Sequence, residues 1–444
     1  MTGTTSRTSP GRPPGPGSGP PAQGTGPPAT GTPAPGTGTP APGTPGLLRA
    51  MNDRAALDLL LAHGPLSRTR IGDLTGLSKP TASQLLARLE AAGLVVATGT
   101  TSGRPGPGAQ LYAVNPHVAR VAGVDVTPGR ITAAVADLTG EVIGSHELPY
   151  AEGAGAAGQV VRVLDEALRA AGLHRSDLHR TVIAVPGAFD PRSGVLRHAG
   201  HLPAGWHSPA LLRELAAALP TPVVYENDVN LAAIAEQRLG AARGHRDFVL
   251  LWNEEGLGAA LVLGGRLHRG FTGGAGEVGF LPVPGHPLVR QAARVDSGGY
   301  QALAGAQTVA GLAAELGMAL PPAAPGHAAG SGAPVGPAVA LLRQAAAHPE
   351  GARLQLLRRY ATALATGLAS LVAVLDPEIV VLSGAVNDAG GDVLRGLVAA
   401  ELADLAPSLP RLIPGAVSER PVLRGALESA LAAVRDEVFD TSRR

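Results

Sequence analysis

Helical spacing of apolar residues begins abruptly in "GLLRAMNDRAALDLLLAHG", residues 46–64, after a stretch in which no apolar pattern recurs. In residues 1–46 more than half the positions are Pro or Gly, and no aromatic or large aliphatic residue follows Met1. Burial there cannot offset the entropy of ordering a backbone, so a disordered tail is expected. A second helix is predicted from a Ser67 cap through "RTRIGDLTG", and a third opens at Ser78 in "SKPTASQLLARLEAAG". In the third, Ala82, Leu85, Leu86 and Leu89 recur at i, i+3, i+4 and i+7, which makes one buried face. Two strand-like runs, "LVVATG" and "QLYAVN", flank the turn-rich "TTSGRPGPGA".

Beyond residue 118 the period changes. "VAGVDV", "RITAAVADL" and "EVIGSHELPY" read as an antiparallel meander, and helices then alternate with the buried runs "TVIAVPGAFD" and "PVVYEND". From residue 248 the order repeats: paired strands, a helix-rich region over roughly 307–375, the buried strand "EIVVLSGAV" and closing helices. The expected organisation is a tail at 1–46, a small helical and β-wing unit at 47–118, a first α/β lobe at 119–232 and a second at 233–444. The last helix of the second lobe is expected to return to the first. Two such lobes place a cleft between them, where ligands commonly bind.

Composition sharpens this picture in two places. The chain has no cysteine, which removes disulfides, thiolate metal sites and cysteine nucleophiles. It also has no apolar run of about 18 residues and no charged stretch followed by an apolar one at its start, so neither a span nor a signal peptide is expected and cytoplasm is the default. The net charge of +1 hides an asymmetry: residues 1–115 carry nine Arg or Lys against four Asp or Glu, and the remainder 27 against 31. A basic front end suits a polyanion.

The third helix fits that partner. Its start and outer face present Ser78, Lys79, Thr81, Ser83, Gln84 and Arg88, side chains able to reach base edges or phosphates in a major groove. Pro80 sits in the first turn, where its missing amide hydrogen costs little, and "LTGLS" supplies the tight connection of a helix-turn-helix. Arg104, within "SGRPG" of the wing, is placed to lie along a minor groove. A helical protein-interaction domain with a solvated polar face is the alternative. Elsewhere, "GGAGEVG" lacks the lysine and spacing of a phosphate loop and reads as a tight bend, and the 13 histidines show no metal-ligand spacing.

Several segments together carry a family resemblance. "HGPLSRTRIGDLTGLSKPTASQLLARLEAAGLV", "SGRPGPGAQLYAVNP", "VPGAFDPRSGVL", "ENDVNLAAIAEQ", "GRLHRGFTGGAGEVG" and "LDPEIVVLSGA" resemble the ROK family of xylose-repressor-like regulators and sugar kinases. The resemblance runs from about residue 47 onward and implies an α/β fold: a winged helix-turn-helix followed by a two-lobed actin-like ATPase (ribonuclease H-like) body. Kinase members generally lack the winged head.

Carried over residue by residue, Asp228 of "END" matches the family's catalytic base and Asn227 a sugar-hydroxyl contact, with Glu277 of "GEVG" a further hydroxyl ligand. Gly187 lies in the "VPG" segment. Where the family has a sugar-binding Asn and Glu, this chain has His201 and Gln301, and a zinc-ligating histidine is replaced by Phe280. The phosphate loops also depart. "DVTPGR" keeps Asp125 but puts Thr127 and Pro128 where D-x-G-G-T is expected, and "EEGLG" puts Glu254 and Glu255 where small neutral residues would approach a nucleotide.

The resulting expectation is a non-enzymatic repressor that binds double-stranded operator DNA as a homodimer or homotetramer and senses a sugar or sugar derivative, without metal or cofactor. The alternatives are a bifunctional ATP-dependent sugar kinase, glucokinase-like, and an orphan regulator whose pocket has decayed.

Overall fold

The computed structural model describes residues 45–101, 108–151, 155–190, 195–197, 202, 204–208, 210–289, 298–320 and 335–441. Residues 1–44 of the expected tail fall outside these residues, as do Arg104 and His201, whereas Pro45 and Gly46 of that tail already belong to the first helix.

The head is built from α1 (Pro45–His63), β1 (Leu66–Ser67), α2 (Arg68–Thr75), α3 (Lys79–Ala91), β2 (Val95–Thr100) and β3 (Gln110–Val114). The Ser67 and Ser78 hydroxyls accept the Arg70 and Thr81 amides, satisfying donors that a helix start leaves open. Gly76 ends α2 in the left-handed region at φ 69°, which makes the tight turn into α3. Ala82, Leu85, Leu86 and Leu89 are all buried. β2 and β3 form the wing hairpin, and the two-residue β1 pairs with Leu111 and Tyr112 to complete a winged helix.

The body contains two sheets of matching order. The first runs β10-β7-β4-β5-β6, formed by β4 (Arg120–Val126), β5 (Arg130–Asp137), β6 (Val142–Pro149), β7 (Arg180–Val185) and β10 (Val223–Asn227). Within it α4 (Ala156–Ala170) precedes β7, the small hairpin β8 (Ala188–Asp190) and β9 (Val195–Arg197) follows, and α5 (Leu211–Ala218) leads into β10. The second sheet runs β13-β12-β11-β14-β15, with β11 (Phe248–Asn253), β12 (Leu257–Leu263), β13 (Arg266–His268), β14 (Ile379–Ser383) and β15 (Arg411–Pro414). Each sheet is an antiparallel three-strand meander extended by two parallel strands. This is the duplicated actin-like arrangement.

Helices follow each sheet in the same order. α6 (Asp228–Arg238) leaves β10, and after β13 come α7 (Gly299–Ala304), α8 (Ala306–Glu315), α9 (Val335–Ala347), α10 (Gly351–Leu375) and, beyond β14, α11 (Ala385–Leu405). The last helix, α12 (Pro421–Val438), packs on α6, β4 and β7 and so belongs spatially to the first sheet. It lies close to α6 because Gly425 has no side chain: a Cβ there would sit 1.8 Å from the Leu231 carbonyl oxygen.

One hydrophobic cluster runs from the head into the body. Leu57, Leu60, Ile71, Leu85 and Leu89 belong to the same buried core as Val121, Leu138, Leu427, Val434 and Phe439. Polar contacts reinforce the junction. Arg54 of α1 donates to Asp436 at 2.8 Å and lies over the Phe439 ring at 5.5 Å.

Candidate functional site

Between the lobes lies a cavity of about 120 Å³, far above the ~10–15 Å³ that one water needs. Its walls come from the β4–β5 turn, Gly187, the β10–α6 junction, the β11–β12 loop with Trp252 and Glu255, and the segment ending in Glu277. The parallel strands β7 and β10 deliver their carboxyl ends here, where open α/β sheets gather their ligands.

Asn227 caps α6. Its Oδ1 accepts the Asn230 amide at 2.9 Å, while Nδ2 donates to the Gly187 carbonyl at 3.1 Å and to Asp228 Oδ1 at 3.0 Å. Asp228 Oδ1 also accepts the Val229 amide at 2.8 Å. Burial raises the Asp228 carboxyl to about 7 against the lowering effect of that amide, and Asp125, Glu255 and Glu277 push it further. Burial likewise lifts Asp125 to about 6, with Arg130 opposing, and Glu254 to about 8, with Glu255 adding repulsion. Burial and mutual repulsion thus raise the carboxyls in and around the cleft toward neutrality. Such groups accept from and donate to hydroxyls well.

The two loops expected to meet phosphates are held by local hydrogen bonds. The Thr127 amide donates to the Arg130 carbonyl at 3.0 Å, the Arg130 amide donates to Thr127 Oγ1 at 3.2 Å, and Pro128 has no N–H. In the second loop the Glu254 amide closes on the Gly256 carbonyl at 3.1 Å, and the Leu257 amide donates to Gln301 Oε1 at 2.7 Å. That last bond redirects the expectation for Gln301. The residue is 2% exposed, lines the cavity and donates through Nε2 to Gln307 Oε1 at 3.3 Å, so it braces the loop at the cavity wall.

Phe280 has no ligating atom, and among the described residues no group of three or more His, Asp or Glu side chains is arranged for a metal.

On the head, Lys79, Thr81 and Gln84 are exposed at the start of α3, the end that would meet a groove. Ser78 is taken up in its cap and shares a 2.8 Å hydrogen bond with Thr81, and Ser83 donates back to the Lys79 carbonyl at 2.9 Å. Arg88 departs from the reading as a base contact: its Nη2 lies 2.7 Å from Oδ1 of Asp53, a carboxylate only 4% exposed. Thr441 Oγ1 donates to the other oxygen of Asp53 at 3.1 Å. Arg88 therefore ties the recognition helix to α1 and to the end of the chain.

Sequence reasoning overlooked two further features. Trp252 in the cleft wall is one of two tryptophans in the chain, and Glu226, the first acid of "END", pairs with Arg269 at 2.6 Å.

A family model described as the ROK family matches residues 121–432. The chain belongs to the ROK family. A model of the MarR family matches residues 47–104, the winged head. A protein named putative xylose repressor from Caldicellulosiruptor sp. (strain Rt8B.4) is 28% identical over 240 residues, 53% of this chain and 60% of that protein. The chain thus spans about 60% of this relative's length.

Among solved structures, a ROK hexokinase from Thermus thermophilus is 28% identical with a TM-score of 0.58, covering 71% of this chain and 99% of the kinase. A ROK family transcriptional regulator, described as a homolog of the E. coli MLC protein, superposes with a TM-score of 0.65 at 20% identity, over 88% of this chain and 99% of its own. At that identity the likeness speaks for the fold. Its wider coverage reaches beyond the length that the kinase-like body matches.

Proposed function

We propose that this ROK family chain is a DNA-binding transcriptional regulator, acting as a repressor, whose kinase-like body senses a sugar or sugar derivative. The observation that carries the reading is a winged helix whose core is continuous with that of a two-lobed body, so that a change at the cleft has a packed route to the recognition helix. α12 is that route. It contacts α6, which begins at Asp228; its own Asp436 holds Arg54, and Thr441 just beyond it holds Asp53 of the head. The head at 47–118 reads an operator with Lys79, Thr81 and Gln84, helped by Arg104. Lobes at 119–232 and 233–444 close on the ligand through Gly187, Asn227, Asp228 and Glu277. Ligand then shifts operator affinity by as much as it prefers one lobe arrangement.

The same reading makes the chain a sensor rather than a kinase. A carboxylate about 4 Å from a phosphate charge repels it by roughly 4 kcal/mol at an effective dielectric of about 20. Glu255 stands in the cleft wall to exert this, and the first loop lacks an amide at Pro128. The kinase reading keeps two arguments, the presence of Asp228 itself and the likeness of the body to a ROK hexokinase. A winged head further suits a symmetric homodimer or homotetramer on a palindromic operator.

The test combines a gel shift on DNA upstream of the protein's own gene, with and without a panel of sugars, and ADP release with the same panel. Sugar-dependent mobility without turnover is expected. Turnover that vanishes in Asp228→Asn would establish the kinase instead.

A further inference from the structure

Glu226 belongs to β10 in the first sheet, whereas Arg269 lies one residue past β13 in the second. Their ion pair, Arg269 Nε to Glu226 Oε2 at 2.6 Å, therefore crosses the cleft. It does so one residue from Asn227. The Glu226 side chain is 9% exposed, and its other oxygen accepts the Asn230 side-chain amide at 2.9 Å and the Asn227 backbone amide at 3.1 Å.

The segment that follows Arg269 is held on both sides. The Ala275 amide donates to the Arg269 carbonyl at 3.1 Å, closing a tight loop. At Gly273, φ +82°, a Cβ would sit 2.2 Å from the Phe189 carbonyl oxygen of β8. At Gly276, φ +97°, it would sit 2.0 Å from the Ala259 carbonyl oxygen of β12. The loop thus presses its backbone against the first lobe, then against the second, and delivers Glu277 directly afterwards. "GGAGEVG" is the bend this path requires.

We infer that Arg269 and Glu226 form a cross-cleft clasp that positions Glu277 of one lobe against Asn227 and Asp228 of the other, making Arg269 a positioning residue for the ligand site. The inference rests on the sensor reading for what the site binds, but not for the geometry of the clasp. Arg269 suits this work because its guanidinium is a planar multi-donor cation that reaches the carboxylate from a half-exposed position. Without it, a carboxylate that is almost enclosed keeps only neutral donors from its own lobe.

The experiment uses the full chain as wild type, Arg269→Gln, Arg269→Lys and Glu226→Gln. Amide hydrogen exchange without any sugar is expected to rise about tenfold or more over residues 270–280 in both neutral variants and to stay unchanged in α10. Arg269→Lys is expected to restore most of the protection, since it keeps the charge. Trp252 fluorescence is then titrated with D-glucose, D-xylose and N-acetylglucosamine. Any of these that binds wild type is expected to bind Arg269→Gln at least tenfold more weakly.

Unchanged exchange over 270–280, or an equal rise throughout the body, overturns the clasp. Either neutral variant reports on the same contact, so one that fails to fold leaves the other to decide. If the exchange change appears while no sugar moves wild-type fluorescence, the clasp stands and the sugar-sensing reading is what fails.

Discussion

Replacing Arg88 and replacing Asp53 break the same 2.7 Å contact, yet the two changes should not cost the same. The partners are unequally buried, with 41% of the Arg88 side chain exposed and 4% of Asp53. Arg88→Met strands an enclosed carboxylate whose remaining donor in this contact is the Thr441 hydroxyl. Breaking a buried pair this way costs about 3–5 kcal/mol, and the half-exposed arginine and surviving hydroxyl bring the expectation to about 2–3 kcal/mol. Asp53→Asn instead frees a guanidinium that water can take back, and the amide oxygen still accepts, so about 1 kcal/mol is expected. Domains of 150–250 residues lose about 2–4 °C per kcal/mol, and a chain this long should lose about 1–2 °C. Thermal melts by far-ultraviolet circular dichroism should therefore fall by about 2–6 °C for Arg88→Met and by about 1–2 °C for Asp53→Asn. In gel shifts Arg88→Met should weaken binding to all operator variants alike. A variant with wild-type melting and an altered base preference would show that Arg88 reads DNA and that its contact with Asp53 is incidental.

Two further outcomes follow from the cleft and from the helix pair beside it. Asp125, Asp228 and Glu254 have folded-state values of about 6, 7 and 8, all above their ordinary ones, so the native state binds more protons than the unfolded chain between about pH 4 and pH 8. Their contribution to stability is greatest below that window and is lost as pH rises through it. Urea midpoints should fall from about pH 5 to about pH 8, with a shallower slope in Asp228→Asn; equal slopes would remove Asp228 from the group. Gly425→Ala should destabilise by more than about 3 kcal/mol, because the 1.8 Å approach to the Leu231 carbonyl can be relieved only by parting α6 from α12. Gly396→Ala, in α11 with nothing within 4 Å of its added carbon, should instead stabilise by about 0.5–1 kcal/mol. Matching urea denaturation curves for the two alanine variants would contradict the close-packed helix pair.

Much of the architecture was legible because the terms that create it are local. The buried face of α3 follows from residues three and four apart, and the caps at Ser67 and Ser78 from hydroxyls three residues before the amides they accept. The first meander could be read from alternation and turns, and the second as paired strands without its short third strand, β13. The short β1 and β15 could not, since two and four residues carry no period and exist as strands only through Leu111, Tyr112 and the β14 backbone.

In the site, the composition of the cleft was visible and its wiring was not. "END" identified Asn227 and Asp228, but the partner of Glu226 lies 43 residues away and that of Arg88 lies 35 residues away. Gln301 could be placed at the cavity wall, but not the bond that its oxygen accepts from the Leu257 amide. The amino-acid order by itself determined which segments become helices and strands and which face of each is apolar, because those outcomes depend on neighbours along the chain. Only the tertiary structure decided which charges meet, which glycines carry close backbone contacts and how far the cleft carboxyls are raised. Coulomb energy, steric contact and desolvation depend on distance through space, and the fold sets that distance without regard to separation in sequence.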